Sequence, residues 1–275
     1  MKGGREFAIS AIAWNPGEEV RVAELMAAHG FSGVELAPGK LFARPEAPTA
    51  AEIAGVRSFW ETRGIRIVAL QALLFGHPEL TLFQSAEARK RMREYLAGII
   101  RTGAALGAQA LVFGSPKNRA RGALPLAEAQ PVALDFFGAL GEVARSAGTC
   151  LCLEPNPVQY GADFCTDSVQ ALELVAQVGS PGFGLHLDTA CALLAGEEFP
   201  ERVRQSAQFL RHVHFSEPEL APVGPGGTLD ARASLSALSK IDYQGAISIE
   251  MRAGAHNLPA VERALGYLST LPGID

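Results

Sequence analysis

The sequence predicts one α/β domain over residues 1–275, folded as a (β/α)8 (TIM) barrel, and three observations predict it. Short apolar or β-branched runs alternate with longer amphipathic stretches eight times along the chain. Each β-then-α unit takes about 30 residues, the length a right-handed crossover between parallel strands needs. The full length of 275 residues suits one such barrel without forcing a second domain. An open doubly wound sheet is the competitor. Its glycine-rich phosphate loop is missing, because the first strand runs into Ala13-Trp14-Asn15-Pro16-Gly17.

Taken in order, the first strand is read at Phe7–Ala13 and the first helix at Glu18–His29, stopped by Gly30. Gly33–Leu36 is the second strand; Thr49 supplies an N-cap oxygen to a helix over Ala50–Arg63 that ends at Gly64. Ile65–Leu70, helix Ala86–Leu106 with Gly107, strand Ala110–Phe113, and helix Leu126–Ala147 with Gly148 follow the same pattern. A left-handed residue is needed just past a helix end, and glycine adopts it without penalty. Strand Thr149–Glu154 leads to an Asp167-Ser168 cap, helix Ser168–Val178 and Gly179. The remaining strands are Phe183–Asp188, Arg211–Phe215 and Ala246–Glu250, with helices near Glu198–Gln208, Ala231–Ile241 and Leu258–Leu271. No linker interrupts this series.

Composition narrows the function. With 48% apolar and 19% charged residues the chain is no disordered segment. Its net charge of −5 offers no general attraction to phosphate backbones, so no nucleic-acid partner is expected. No apolar run precedes Phe7, and stretches such as Ile67 to Leu70 are only strand-length. Neither signal peptide nor membrane span is expected, and a cytoplasmic location follows. Cys150, Cys152, Cys165 and Cys191 form no C-x-x-C pair and are read as reduced thiols. A homo-oligomer is left open.

In a (β/α)8 barrel the reactive groups lie at the C-terminal ends of the strands. Five strands finish on a carboxylate or imidazole set in apolar sequence: Glu35, Glu154, Asp188, His214 and Glu250. Buried charges need a partner or a cation. Three carboxylates and one imidazole from four consecutive strands, Glu154, Asp188, His214 and Glu250, suit one divalent cation of the Mn, Mg, Co or Zn type. The alternative is that each is a rim residue paired with a local Arg or Lys. His186 and His212 share faces with Asp188 and His214, one layer deeper. They are read as orienting partners, as a substrate contact in the case of His186, or as satisfied core residues.

The motifs Leu153-Glu154-Pro155-Asn156, His186-Leu187-Asp188-Thr189, His212-Val213-His214-Phe215-Ser216-Glu217 and Ser248-Ile249-Glu250 resemble the xylose-isomerase-like barrels. The pattern is most similar to sugar (phosphate) isomerases and epimerases of the D-tagatose 3-epimerase-like group, from Ala11-Ile12-Ala13-Trp14 to Glu250. The resemblance implies that Glu154, Asp188, His214 and Glu250 ligate the metal, with Glu154 and Glu250 as the acid/base pair. It further implies a small carbohydrate substrate whose carbon beside a carbonyl loses a proton to give an enediolate. Two positions depart from the family. Cys191 stands where a histidine follows the strand-six aspartate, and Glu217-Pro218-Glu219-Leu220 lacks the expected arginine.

Further expected substrate contacts come from the loops. Lys117, Arg119 and Arg121 form a basic loop that would clamp a substrate anion or stay solvated. The segment Leu73–Leu80 reads as a lid carrying Phe75 and His77, and Trp14 and Phe215 as apolar walls. Asn156, Cys191, Glu217 and Glu35 complete the candidate set, with Gly224-Pro225-Gly226-Gly227 shaping the entrance. Isomerase or epimerase is the leading activity. A polyol-ketone dehydratase, an abasic-site phosphodiesterase and a silent sugar-binding barrel are its competitors. The phosphodiesterase is disfavoured because only His77, of His29, His77, His186, His212, His214 and His256, comes from an early active-face loop.

Overall fold

A computed structural model describes residues 6–271 except 256, so His256 lies outside the described residues. Eight parallel strands close into one barrel in sequence order: β1 Phe7–Ser10, β2 Gly33–Leu36, β3 Arg66–Leu70, β4 Ala110–Phe113, β5 Cys150–Leu153, β6 Phe183–Asp188, β7 Leu210–Ser216 and β8 Ile247–Glu250. The seam pairs Ala8 with Ser248 and Ile9 with Ile249. Ten helices lie among the described residues: α1 Glu19–Ala28, α2 Pro38–Leu41, α3 Ala50–Glu61, α4 Ala86–Leu106, α5 Leu126–Ala147, α6 Ser168–Val178, α7 Thr189–Leu194, α8 Phe199–Ser206, α9 Ala231–Lys240 and α10 Asn257–Ser269. None is long and apolar enough to cross a membrane.

The expected punctuation is present. Gly107, Gly148 and Gly179 close α4, α5 and α6 in the left-handed region. Thr49 and Glu52 form a reciprocal capping box at α3, and Asp167 accepts from Gln170 N at α6. Strands β3, β5 and β8 are one or two residues shorter than expected, and β1 is shortened most. β1 stops at Ser10, whose Oγ accepts from Ile12 N and winds Ala11–Ala13 into a 3-10 turn. Two short helices, α2 and α7, were not anticipated. Both lie just past strand ends and, at four and six residues, are too short to show a helical period in the sequence.

Strand alternation sorts side chains into two populations. Ile9, Val34, Leu111, Phe113, Leu151, Leu185, Val213 and Ile249 face the helices and form one continuous core. Ala8, Val68, Ala110, Cys150 and Cys152 form a separate small cluster that fills the barrel interior. All four cysteines are buried free thiols. Above this apolar floor the inward column turns polar, with Ser10, Glu35, His186, His212 and Ser248 all buried. Phe215 is corrected by the same alternation. His214 and Ser216 face inward, so Phe215 faces outward against Phe199, with centroids 6.4 Å apart, and cannot wall the mouth.

Candidate metal centre at the barrel mouth

The mouth holds a cavity of about 250 Å³ whose lining includes Gly114, Glu154, Asn156, Tyr160, Asp188, Cys191, Ser216, Glu219, Glu250 and Arg252. His214, buried beneath it, has its two ring nitrogens in different surroundings. Nε2 lies 2.8 Å from Glu35 Oε2. Nδ1 lies 3.4 Å from Glu250 Oε2 and 3.9 Å from Asp188 Oδ2. Glu35 accepts the Nε2 proton, so once the ring gives up its second proton the Nδ1 lone pair points toward the carboxylates. Nδ1 is buried and has no hydrogen-bond partner.

Asp188 is fixed from both sides. It ends β6 and caps α7, so Oδ1 accepts from Cys191 N at 2.7 Å. Its Oδ2 accepts from Ser216 Oγ at 2.5 Å. Glu154 follows β5, with Oε1 at 3.6 Å from His186 Nε2. Ligand atoms of Glu154, His186, Asp188 and His214 lie within 4.8 Å of one another. Glu250 joins this group through His214 Nδ1, and His186 enters it from the layer below.

The electrostatics match a cation-binding cluster. Burial first, then Glu250 and Asp188, push the Glu154 carboxyl up to about 8. Burial and Glu250 also raise Asp188. Against burial, which alone would lower it, Glu35 and Glu250 raise His214 well above the ordinary histidine range. Burial would raise Glu35, yet His214 and His212 hold it well below the carboxylate range. Clustered carboxylates and an imidazole are thus keeping protons where a cation would sit. A buried nitrogen facing Asp188 and Glu250, with Glu154 in the same cluster, fits a divalent ion of the N/O-binding kind.

The structure distributes the other expected contacts unevenly. Asn156 and Cys191 line the cavity. Glu35 does not reach it, because it is spent on His214 and on His212, whose Nε2 lies 3.3 Å away. Trp14 is buried beside Trp60, with centroids 6.3 Å apart, and lines a different groove with Lys40 and Phe59. His77 packs on Tyr95 of α4 at 4.5 Å and lies 3.2 Å from Glu79, and it does not line the cavity, while Phe75 is 82% exposed. Glu217 accepts from Thr228 N at 2.8 Å and Leu229 N at 3.2 Å, tying down the Gly224–Gly227 loop.

In the basic loop both arginines are committed within the fold, and only Lys117 is free to meet a ligand. Lys117 is exposed. Arg121 donates to Asp163 O and Leu124 O. Arg119 is fully buried among carbonyl oxygens. Four polar or charged cavity residues were missed by sequence reading: Tyr160, Ser216, Glu219 and Arg252. Arg252 had a signal, since it lies two residues past Glu250 and so on the same side of an extended chain. Tyr160 sits in a 3-10 turn and Glu219 at φ 60°, where no periodicity points to a facing.

Fold and mouth together define a (β/α)8 protein with an inward carboxylate–imidazole cluster at the C-terminal ends of β5 to β8. The model of the xylose isomerase-like TIM barrel family matches residues 23–271, and the chain belongs to that family. It is 27% identical over 113 residues to a ketose 3-epimerase of Arthrobacter globiformis, a match covering 41% of this chain and 39% of that protein's length. Among solved structures, a 3-keto-D-glucoside 4-epimerase from E. coli superposes with TM-score 0.81 at 18% identity, over 97% of this chain and 99% of the other. A D-psicose 3-epimerase crystallised with D-fructose superposes with TM-score 0.80 at 17% identity, over 96% and 97%. At these identities the structural likeness is one of fold.

Proposed function

We propose that the protein is a divalent-metal-dependent isomerase or epimerase of a small sugar, with Glu154, Asp188, His214 and Glu250 as metal ligands. The observation that carries the reading is the orphaned His214 Nδ1 facing Asp188 and Glu250, with Glu154 kept protonated beside them. The partial match to a ketose 3-epimerase supports a ketose-like substrate. A bound divalent cation supplies charge stabilisation for oxygens that become negative.

The chain's own residues do the rest. Glu154 and Glu250 end different strands of the mouth, so each reaches a bound sugar from its own side. One takes the proton from the carbon beside the carbonyl, and the other delivers a proton to the same carbon (epimerisation) or its neighbour (isomerisation). Asn156, Tyr160 and Arg252 offer donors to the sugar's oxygens, and Glu219 an acceptor.

The test is solvent deuterium uptake by a panel of ketoses incubated with metal-loaded protein, with product stereochemistry read by NMR. Incorporation at a carbon next to the carbonyl is expected; no exchange with any sugar would sink the proposal.

Metal loading should depend on pH. Below about 8 Glu154 carries a proton that it must give up to become a ligand, and His214 holds another. Divalent-ion affinity is therefore expected to rise with pH, at least about tenfold per unit while a proton is released. Calorimetric titration with Mg²⁺ or Mn²⁺ between pH ~6.5 and ~8.5 checks this, and a flat profile contradicts it.

A further inference from the structure

Arg119 follows β4 and is buried at 0% exposure. Its guanidinium donates from Nη2 to Glu154 O at 2.7 Å and to Asn156 Oδ1 at 2.8 Å. Nε donates to Phe164 O at 3.2 Å and Nη1 to Phe113 O at 3.3 Å. All four acceptors are neutral amide oxygens. A fully desolvated guanidinium is costly to keep, and this one gains no direct ion pair from these partners. What it gains is a joint between the ends of β4 and β5 and the segment ahead of α6.

The consequence lies in Asn156. An asparagine amide presents a carbonyl at one end and an N–H pair at the other, of nearly equal size, and either end fits a polar wall. A guanidinium only donates. Whatever faces Arg119 must therefore be Oδ1, and Nδ2 is turned the other way, to 3.9 Å from Cys191 Sγ on the cavity lining.

We infer that Arg119 is a positioning residue acting through Asn156: it turns the Asn156 N–H, rather than its carbonyl, into the cavity to donate to a substrate oxygen beside Glu154. The identity of that acceptor rests on the sugar-processing reading; the orientation does not. Arg119 also holds the carbonyl of Glu154 itself, so one buried side chain sets the direction of both residues. A lysine keeps the charge but brings a single ammonium head, which lacks the planar fork that spans Glu154 O, Asn156 Oδ1 and Phe164 O.

The experiment uses 15N-labelled full-length protein, with the Asn156 side-chain amide pair identified by its loss in Asn156→Ala. In the wild type this pair is expected to show nuclear Overhauser contacts to the Cys191 β-protons; contacts to the Arg119 guanidinium protons instead would overturn the inference. In Arg119→Lys the pair is expected to shift or broaden and ketose affinity, read by calorimetry on Mg²⁺-loaded protein, to fall about tenfold. An unmoved pair would overturn it. Asn156→Asp keeps an acceptor for Arg119 and folds independently of the lysine variant. It removes the donor, so it should also lose about tenfold in ketose affinity, and wild-type affinity would count against the inference. If no sugar binds the wild type, the functional reading falls, while the amide contacts still decide the role of Arg119.

Discussion

Glu154→Gln and Glu250→Gln are each expected to lower kcat for ketose interconversion by about 10²–10⁴, the usual contribution of one positioned acid/base group. Glutamine keeps the shape of the side chain but removes its ability to exchange a proton and its charge as a metal ligand, so both variants are compared with wild type at saturating divalent ion. For Glu154 the change is close to neutral for the metal-free fold, because the carboxyl already carries its proton below about 8. Its melting temperature near neutral pH should stay at the wild-type value without metal, which separates catalytic loss from misfolding. The two variants should differ in a second readout. If each carboxylate serves one face of the substrate, each variant loses deuterium exchange from one epimer and keeps exchange from the other. Activity within tenfold of wild type in either variant would remove that residue from the acid/base pair.

Most of the barrel was legible because its signals are local. Alternation along β6 and β7 put His186 with Asp188 and His212 with His214, and the register pairs Asp188 with His214 and His186 with His212 in adjacent strands. The same rule, applied to Phe215, would have turned it outward. Loop residues were the weak point, since their facing depends on partners distant in sequence. His77 is claimed by Tyr95 and Glu79, Trp14 by Trp60, and Glu217 by Thr228. Arg119 is the sharpest case. A cation between Lys117 and Arg121 reads as a solvated loop charge, yet it is wholly buried because Glu154 O, Phe164 O and Asn156 Oδ1 converge on it. Those three acceptors lie 35, 45 and 37 residues away in sequence, so no local pattern announces the convergence.

The glycine after β4 gives a prediction in which stability and function part company. Gly114 is half-buried, and its φ lies outside the left-handed region, so the backbone there does not demand glycine. What demands it is space: a Cβ at this position would overlap Glu154 Oε2, with Glu154 Cδ at 3.0 Å. The obstructing atom is the free end of a side chain, so the fold can absorb an alanine by swinging the carboxylate aside. Gly114→Ala should leave the melting temperature unchanged or raise it slightly, since alanine restricts the unfolded chain and is worth about 0.4–1 kcal/mol where it fits. The same swing takes Glu154 away from Asp188, His186 and the sugar. A displacement of the order of 1 Å at a reacting group costs about 10²-fold in rate, and divalent-ion affinity should fall with it. Thermal melts, calorimetric metal titration and kcat on one preparation decide the matter. An alanine variant that melts normally but binds metal and turns over sugar within threefold of wild type would mean that Glu154 is not held against Gly114 in the working protein.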